Sequence, residues 1–208
     1  MYDALFFDLD GTLIDTESIA ARTGRAAFGL QGLTVEDDFL HRLVGLDEPS
    51  SARLIATAFP QADLDRLVLD WRAGFDAGVD EGLPLKPGAA DLLAAPDLPR
   101  VLVTSTRRDS ARHKLRVAGI AEAFLHVVTF DDVAAPKPAP DPYLLAARLM
   151  GLDPGRCLVF EDSETGAEAA HRAGCVVVQV PDVVPSQGRW AHHLADDLLA
   201  GARMAGLI

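Results

Sequence analysis

Phe6-Phe7-Asp8-Leu9-Asp10-Gly11-Thr12-Leu13-Ile14-Asp15-Thr16-Glu17 is the stretch on which the reading of this chain turns. A short apolar run from Ala4 to Phe7 meets two carboxylates and then a glycine. A run of that length broken at Gly reads as a buried strand ending in a loop. Ligands of open α/β sheets bind outside the carboxyl ends of the strands, which is where Asp8 and Asp10 fall. The two share parity, so in extended backbone they point to one side. Like charges that close are costly unless a cation or a shared proton relieves them, and a hard cation such as Mg2+ suits oxygen ligands. The plainer alternative is a turn with solvated acids, since Asp and Gly are common turn residues. A calcium loop of the EF-hand type does not fit, because Leu13 and Ile14 are apolar where such a loop needs further oxygen ligands.

The rest of the composition narrows the class. With 208 residues, the chain can fill one domain or a domain with an insertion. Hydrophobic residues make up 49% and aromatics 6%, which suits an aliphatic α/β core. A net charge of −12 with no long basic run argues against nucleic acid or an anionic membrane as partner, but not against a small anionic substrate. Cys157 and Cys175 both lie beside apolar runs and read as buried thiols in a reducing compartment rather than a disulfide. No leader pattern or membrane-length apolar segment is visible, so a soluble cytoplasmic protein is expected, with nothing that demands more than a monomer. The three lysines are Lys86, Lys114 and Lys137.

Taken in order, Ser18 to Gly29 reads as a helix. Helical spacing recurs in Val35–Val44, Ser51–Phe59 and Leu64–Phe75, without an alternating strand between them. Helices inserted after the first strand read as a cap, and Gly82 to Gly88 as the return linker. From there strands and helices alternate. Ala89–Ala95 is expected as a short helix closed by Pro96, and strands are expected at Arg100–Thr104, Phe124–Thr129, Cys157–Phe160 and Cys175–Val180. Helices are expected at Asp109–Val117, Pro140–Met150 and Glu164–Ala173, the last capped by Ser163, with a closing helix at Trp190–Met204. This alternation predicts βαβ crossovers and a largely parallel sheet.

Three further polar groups stand at strand ends: Thr104-Ser105-Thr106, Lys137 in Pro136-Lys137-Pro138-Ala139-Pro140-Asp141-Pro142, and Glu161-Asp162-Ser163. Singly, each has an ordinary explanation as a cap or a solvated loop residue. Together they form a kit for phosphoryl transfer. Cations neutralise the phosphoryl oxygens, hydroxyl and N–H groups hold them, one carboxylate attacks and another moves the proton.

These four motifs, Asp8-Leu9-Asp10-Gly11-Thr12, Val103-Thr104-Ser105-Thr106, Pro136-Lys137-Pro138 and Phe160-Glu161-Asp162-Ser163, resemble those of the haloacid dehalogenase superfamily, in its phosphatase and β-phosphoglucomutase-like branch. The resemblance covers essentially the whole chain. It implies a three-layer Rossmann-like α/β core with a parallel sheet, formed by residues 1–14 and 87–208, and a helical cap over 15–86. It also implies that Asp8 is the nucleophile. Asp10 is then the general acid/base and, through its carbonyl, a ligand of Mg2+. Asp162 is the other carboxylate on the metal, with Glu161 a ligand through water or a supporting group. Thr104, Ser105 and Lys137 bind the transferring phosphoryl group, and Thr106 and Arg107 touch the rest of the substrate.

Within that family, Asp10 favours phosphate esters over carbon–halogen bonds. The absence of lysine from residues 15–85 excludes a cap Schiff base of the phosphonate-hydrolase kind. A β-phosphoglucomutase-like cap has a His soon after the first motif and basic residues around a cap-loop Gly. Here Ala20 stands near that His position, and Leu43-Val44-Gly45-Leu46-Asp47-Glu48 is apolar and acidic. A Mg2+-dependent phosphatase of a small phosphorylated metabolite is therefore expected. A phosphosugar mutase is the alternative, for which one of Arg22, Arg25, Arg42 or Arg53 would have to substitute for the missing basic groups. A phosphoacceptor switch is a third possibility, from a different class.

Overall fold

The computed structural model describes residues 1–44, 46, 48–94 and 98–208. Gly45, Asp47, residues 95–97 and the side chain of Glu48 lie outside the described set. Much of the acidic cap-loop reading, and the Pro96 helix stop, therefore fall outside it.

The chain divides into two compact units, Met1–Asp15 with Leu83–Ile208, and Thr16–Gly82. In the first unit, six parallel strands lie in the order β3-β2-β1-β4-β5-β6. These are β1 (Ala4–Phe7), β2 (Arg100–Val103), β3 (His126–Val128), β4 (Cys157–Glu161), β5 (Val176–Gln179) and β6 (His193–Leu194). The connecting helices are α5 (Ala89–Ala94), α6 (Arg108–Val117), α7 (Asp141–Met150), α8 (Glu164–Arg172) and α9 (Leu198–Met204). Residues 4–7 are fully buried, as a central strand covered on both faces must be. Ala4 and Phe6 belong to the cluster with Val101, Val103, Val159, Tyr143, Ala146 and Ala170. Phe7, of opposite parity, stacks on Phe160 with centroids 5.1 Å apart.

The register decides what meets at the strand ends. Phe7 pairs with Phe160, and Asp8 N–H donates to the Phe160 carbonyl at 3.0 Å. Asp8 and Glu161 thus leave the sheet side by side at the β1/β4 step, where strand order reverses and an open sheet forms its crevice. Residues 83–86 belong to this unit because they pair with the end of the first motif. Ile14 bridges Leu85, Asp15 N–H donates to the Pro84 carbonyl and Lys86 N–H to the Leu13 carbonyl, both at 2.9 Å.

The second unit holds α1 (Thr16–Leu30), α2 (Asp37–His41), α3 (Glu48–Ala58) and α4 (Leu64–Glu81). Phe28 is its centre, with Phe39, Phe59 and Trp71 rings 4.9 to 6.5 Å away. Helices α1 and α4 approach closely because Gly24 carries no side chain; a Cβ there would sit 2.6 Å from the Trp71 ring. That ring donates its Nε1–H to the Ala20 carbonyl at 2.9 Å.

Two expected elements change. The closing helix over Trp190–Met204 is instead strand β6 followed by helix α9. His192 N–H donates to the Val177 carbonyl at 2.8 Å and Ala195 N–H to the Gln179 carbonyl at 2.9 Å, so this segment extends the sheet. The helix starts only where the Asp197 side chain accepts from Ala200 N–H at 2.7 Å. The helix expected over Val35–Val44 shortens to Asp37–His41, with turn bonds from Leu43 and Val44 N–H following it.

Candidate functional site

Lys137 organises the strand ends. Its Nζ donates to Asp8 Oδ1 at 2.7 Å, Glu161 Oε1 at 2.6 Å and the Val103 carbonyl at 2.8 Å. Three donors and three acceptors match, and the side chain is 5% exposed. The two carboxylates hold its pKa far above the ordinary lysine range against the opposing effect of burial. Glu161 is completely buried and fully engaged. Tyr143 O–H donates to Oε1 at 2.7 Å, and Ser163 Oγ–H donates to Oε2 at 3.1 Å. Gly166 at the start of α8 leaves room for this carboxylate; a Cβ there would run into it. Ser163 Oγ also accepts from Gly166 N–H at 3.0 Å, the expected N-cap.

Asp8, Glu161 and Asp162 each offer an oxygen within 4.8 Å of the others. Burial pushes the Asp8 carboxyl up to about 7, with Lys137 opposing and Glu161 and Asp10 reinforcing. Asp162 is raised well above the usual carboxylate range, by burial first and then by Asp8 and Glu161. The site carries more negative charge than its lysine relieves, and oxygen donors at this spacing fit a hard divalent cation. Asp162 is set by its surroundings. Gln179 Nε2–H donates to its backbone carbonyl at 3.3 Å, Thr12 Oγ1–H to its Oδ1 at 3.4 Å, and Gly11, with φ +80°, leaves the space its carboxylate fills.

Asp10 turns elsewhere. Thr106 Oγ1–H donates to its Oδ2 and Lys114 Nζ to its Oδ1, both at 2.6 Å. Thr104 is buried, and its Oγ1 accepts from Thr106 N–H at 3.0 Å, while Ser105 is exposed. Arg107 is paired with Asp131 at 3.1 Å and lies over the Phe130 ring, with its side chain 74% exposed. The structure thus draws Asp8, Lys137, Glu161 and Asp162 into one cluster and links Asp10 to Thr106. Arg107 engages an acid of its own neighbourhood.

Lys114 and Tyr143 were not among the residues singled out from sequence. Both reach the site from helices, Lys114 across 104 positions and Tyr143 across 18. The usable signal was lysine scarcity. All three lysines pair with carboxylates of this unit, Lys86 with Asp182 at 2.6 Å. Cys157 and Cys175 are buried and free, their thiols pushed up to about 11 and about 12 by burial. Among the described residues, no helix is long and apolar enough to cross a membrane.

Residues 2–174 match the family model of haloacid dehalogenase-like hydrolases. The chain is 34% identical to fructose-1-phosphate phosphatase YqaB of Escherichia coli, over 86% of this chain and 96% of that protein. It is 34% identical to hexitol phosphatase A of the same organism, over 84% of this chain and 81% of that protein. A HAD family hydrolase of Deinococcus radiodurans, solved with bound phosphate and sodium, superimposes with TM-score 0.87 at 27% identity, covering 99% of this chain and 96% of that one. The putative β-phosphoglucomutase of Thermotoga maritima gives 0.83 at 25%, covering 99% and 100%. With the family model spanning most of its length and these identities across 81% or more of both relatives, the chain belongs to the haloacid dehalogenase-like hydrolases and is an enzyme of that family.

Proposed function

We propose that this enzyme is a Mg2+-dependent phosphatase of a small sugar or polyol phosphate, working through a phosphate ester on Asp8. The observation that carries the reading is the Lys137 ammonium bridging Asp8 and Glu161 at 2.7 and 2.6 Å, with Asp162 completing a trio of oxygens. Asp8, Asp162 and the Asp10 carbonyl would hold the ion, with Glu161 behind them. When bound, Mg2+ supplies positive charge that relieves the carboxylates and faces the phosphoryl oxygens.

The chain's own groups divide the remaining work. In the first half-reaction an Asp8 oxygen bonds to phosphorus while the bond from phosphorus to the leaving oxygen breaks, and Asp10 gives that oxygen a proton. In the second, water attacks phosphorus, the bond to Asp8 breaks, Asp10 takes the proton of the water and inorganic phosphate departs. Lys137 stays on Asp8 and faces the phosphoryl oxygens, with Thr104 and Ser105 holding them. Thr106 and Arg107 contact the remainder of the substrate. The helical unit Thr16–Gly82 takes the part of the cap that selects the ester. Two unpaired buried thiols suit a reducing compartment, and the cytoplasm is the proposed location.

The experiment is phosphate release from a panel of sugar, polyol and nucleoside phosphates, with Mg2+ or with EDTA, for wild type and Asp8→Asn. Release that needs Mg2+ and disappears in the variant is expected. Isomerisation of β-glucose 1-phosphate primed with its bisphosphate, without release, would replace the reading with a mutase. A stable phosphate on Asp8 without turnover would replace it with a switch.

A further inference from the structure

Asp10 is gripped from two sides, and the second grip has an origin that the reaction above leaves unexplained. Thr106 Oγ1–H holds Oδ2, while Lys114 Nζ holds Oδ1, each at 2.6 Å. Lys114 stands in α6 on the inward stripe formed by Ala111, Lys114 and Leu115, and its side chain is 9% exposed. Burying an ammonium on an apolar helix face is costly unless it meets a partner, and lysine is rarely buried without one. Attraction to the negative end of α6 would account for a basic residue in its last turn, but an exposed side chain such as Arg116 meets that need. Burial together with the aim at Asp10 calls for a different reason.

We infer that Lys114 is a positioning residue for Asp10, an inference that rests on the phosphatase reading. Each Asp10 oxygen accepts one of these bonds and keeps a further lone pair, but turning the carboxylate toward a reacting oxygen loosens one of the two holds. The Thr106 hydroxyl is the one to yield. It is neutral, so its bond to the carboxylate lacks the ion-pair attraction that the Lys114 ammonium adds. It also sits in the loop after β2, whereas Lys114 is anchored within a helix of ten residues. Lys114 therefore retains Oδ1 while Oδ2 turns first to the leaving oxygen and then to the attacking water. One lysine fixes the direction of the same carboxylate in both half-reactions.

The test uses Lys114→Met with two ester classes in the presence of Mg2+. An alkyl phosphate needs its leaving oxygen protonated; p-nitrophenyl phosphate does not, because nitrophenolate leaves unaided. With the best alkyl phosphate of the panel, kcat should fall roughly 10- to 100-fold with KM changed less than about threefold, the scale of a misdirected general acid. With p-nitrophenyl phosphate, the first step should survive and the second should slow. Rapid mixing should then show a burst of about one nitrophenolate per active site, followed by slow release of phosphate. Lys114→Arg, which keeps the charge but moves the donors, should give the same pattern more weakly and covers the case in which the methionine variant does not fold. Wild-type rates for both esters would overturn the inference. A burst amplitude reduced in step with folded protein, with unchanged rates per site, would overturn it too by making Lys114 a fold residue only. Wild type without turnover of any ester would refute the phosphatase reading and take this inference with it, an outcome distinguishable because it precedes any variant.

Discussion

The two units spend their polar residues differently. At the strand ends of the first, carboxylates and ammonium groups are buried and fixed: Glu161 is fully buried, and Lys137 and Lys114 are 5% and 9% exposed in their side chains. In the helical unit the core is apolar and centred on Phe28, and among the described residues Thr16 and Thr23 are buried but no charged side chain is. Its ion pairs Arg22 with Glu81 and Arg25 with Asp37 lie in solvent, and Arg66 with Asp70 pairs through an exposed guanidinium. That unit also carries an open cleft of about 420 Å3, walled by Leu40, Leu43, Val44, Ile55 and Trp71 with Glu17, His41 and Asp65 among its lining. Buried charge costs stability and is retained where it does chemistry, whereas solvent-exposed pairs contribute little. The contrast is the one that the proposed function requires, with chemistry in the first unit and shape in the second. Its most severe test is Lys137→Met, which removes the shared partner of Asp8 and Glu161. Turnover should fall roughly a thousandfold or more, the scale of losing a charged group at a developing anion. Steady-state phosphate release checks this, and a loss under tenfold would break the contrast at its strongest point.

The helical unit should respond in stability instead. Phe28→Ala deletes the ring on which Phe39, Phe59 and Trp71 converge, and should cost about 3–5 kcal/mol. Limited proteolysis should then cut within 16–82 sooner than in wild type, while calorimetric Mg2+ binding stays unchanged. A loss of Mg2+ binding would mean that the two units are not separable in the way their polarity implies.

What could be read from sequence followed the same division. Asp8, Glu161 and Asp162 were legible because an apolar run ending abruptly in acid is a local pattern, and a parallel sheet carries such ends to one edge. Lys137 was legible because the surrounding prolines fix a scarce residue. Lys114 and Tyr143 were not singled out, since each sits on an ordinary helical stripe; scarcity marked Lys114 without saying which carboxylate it meets, and only the fold sets it opposite Asp10 and Tyr143 opposite Glu161. Strand β6 was missed for a related reason. Two residues within an apolar-spaced run carry no period of their own, and only pairing with β5 makes His193–Leu194 a strand. Arg107 was legible as a guanidinium near the site, but not as one engaged by Asp131 and Phe130.

A middling effect separates the buried carboxylates from everything on the surface. Asp8 titrates at about 7 in the folded protein and near 3.9 when unfolded, so between those values the folded state holds the extra proton. Its contribution is present in full below about pH 4 and is lost as pH rises through about 7. Lys137 shifts upward from its ordinary value, outside this window. In EDTA, wild type should lose roughly 1–3 kcal/mol more than Asp8→Asn between pH 5 and pH 8, which is several degrees of Tm for a chain of this size. Adding Mg2+ at pH 8 should close most of the gap. Parallel pH profiles for the two proteins would show that the cluster is less strained than its burial requires.

The smallest expected effect tests the contrast from the other side. Arg22 pairs with Glu81 at 3.2 Å, with the two side chains 55% and 69% exposed. Screening by solvent leaves such a pair worth under about 0.5 kcal/mol, so Arg22→Ala should move Tm by no more than about 2 °C. It should also leave kcat/KM within about twofold, because nothing in its contacts commits it to a substrate. Arg22 is among the arginines of the helical unit that could replace the basic groups of a mutase cap. A tenfold fall in kcat/KM with Tm unchanged would therefore give this unit a charged contact with the substrate. A second phosphate would be the natural partner for that guanidinium, which is what a bisphosphate-handling mutase needs and a monoester phosphatase does not.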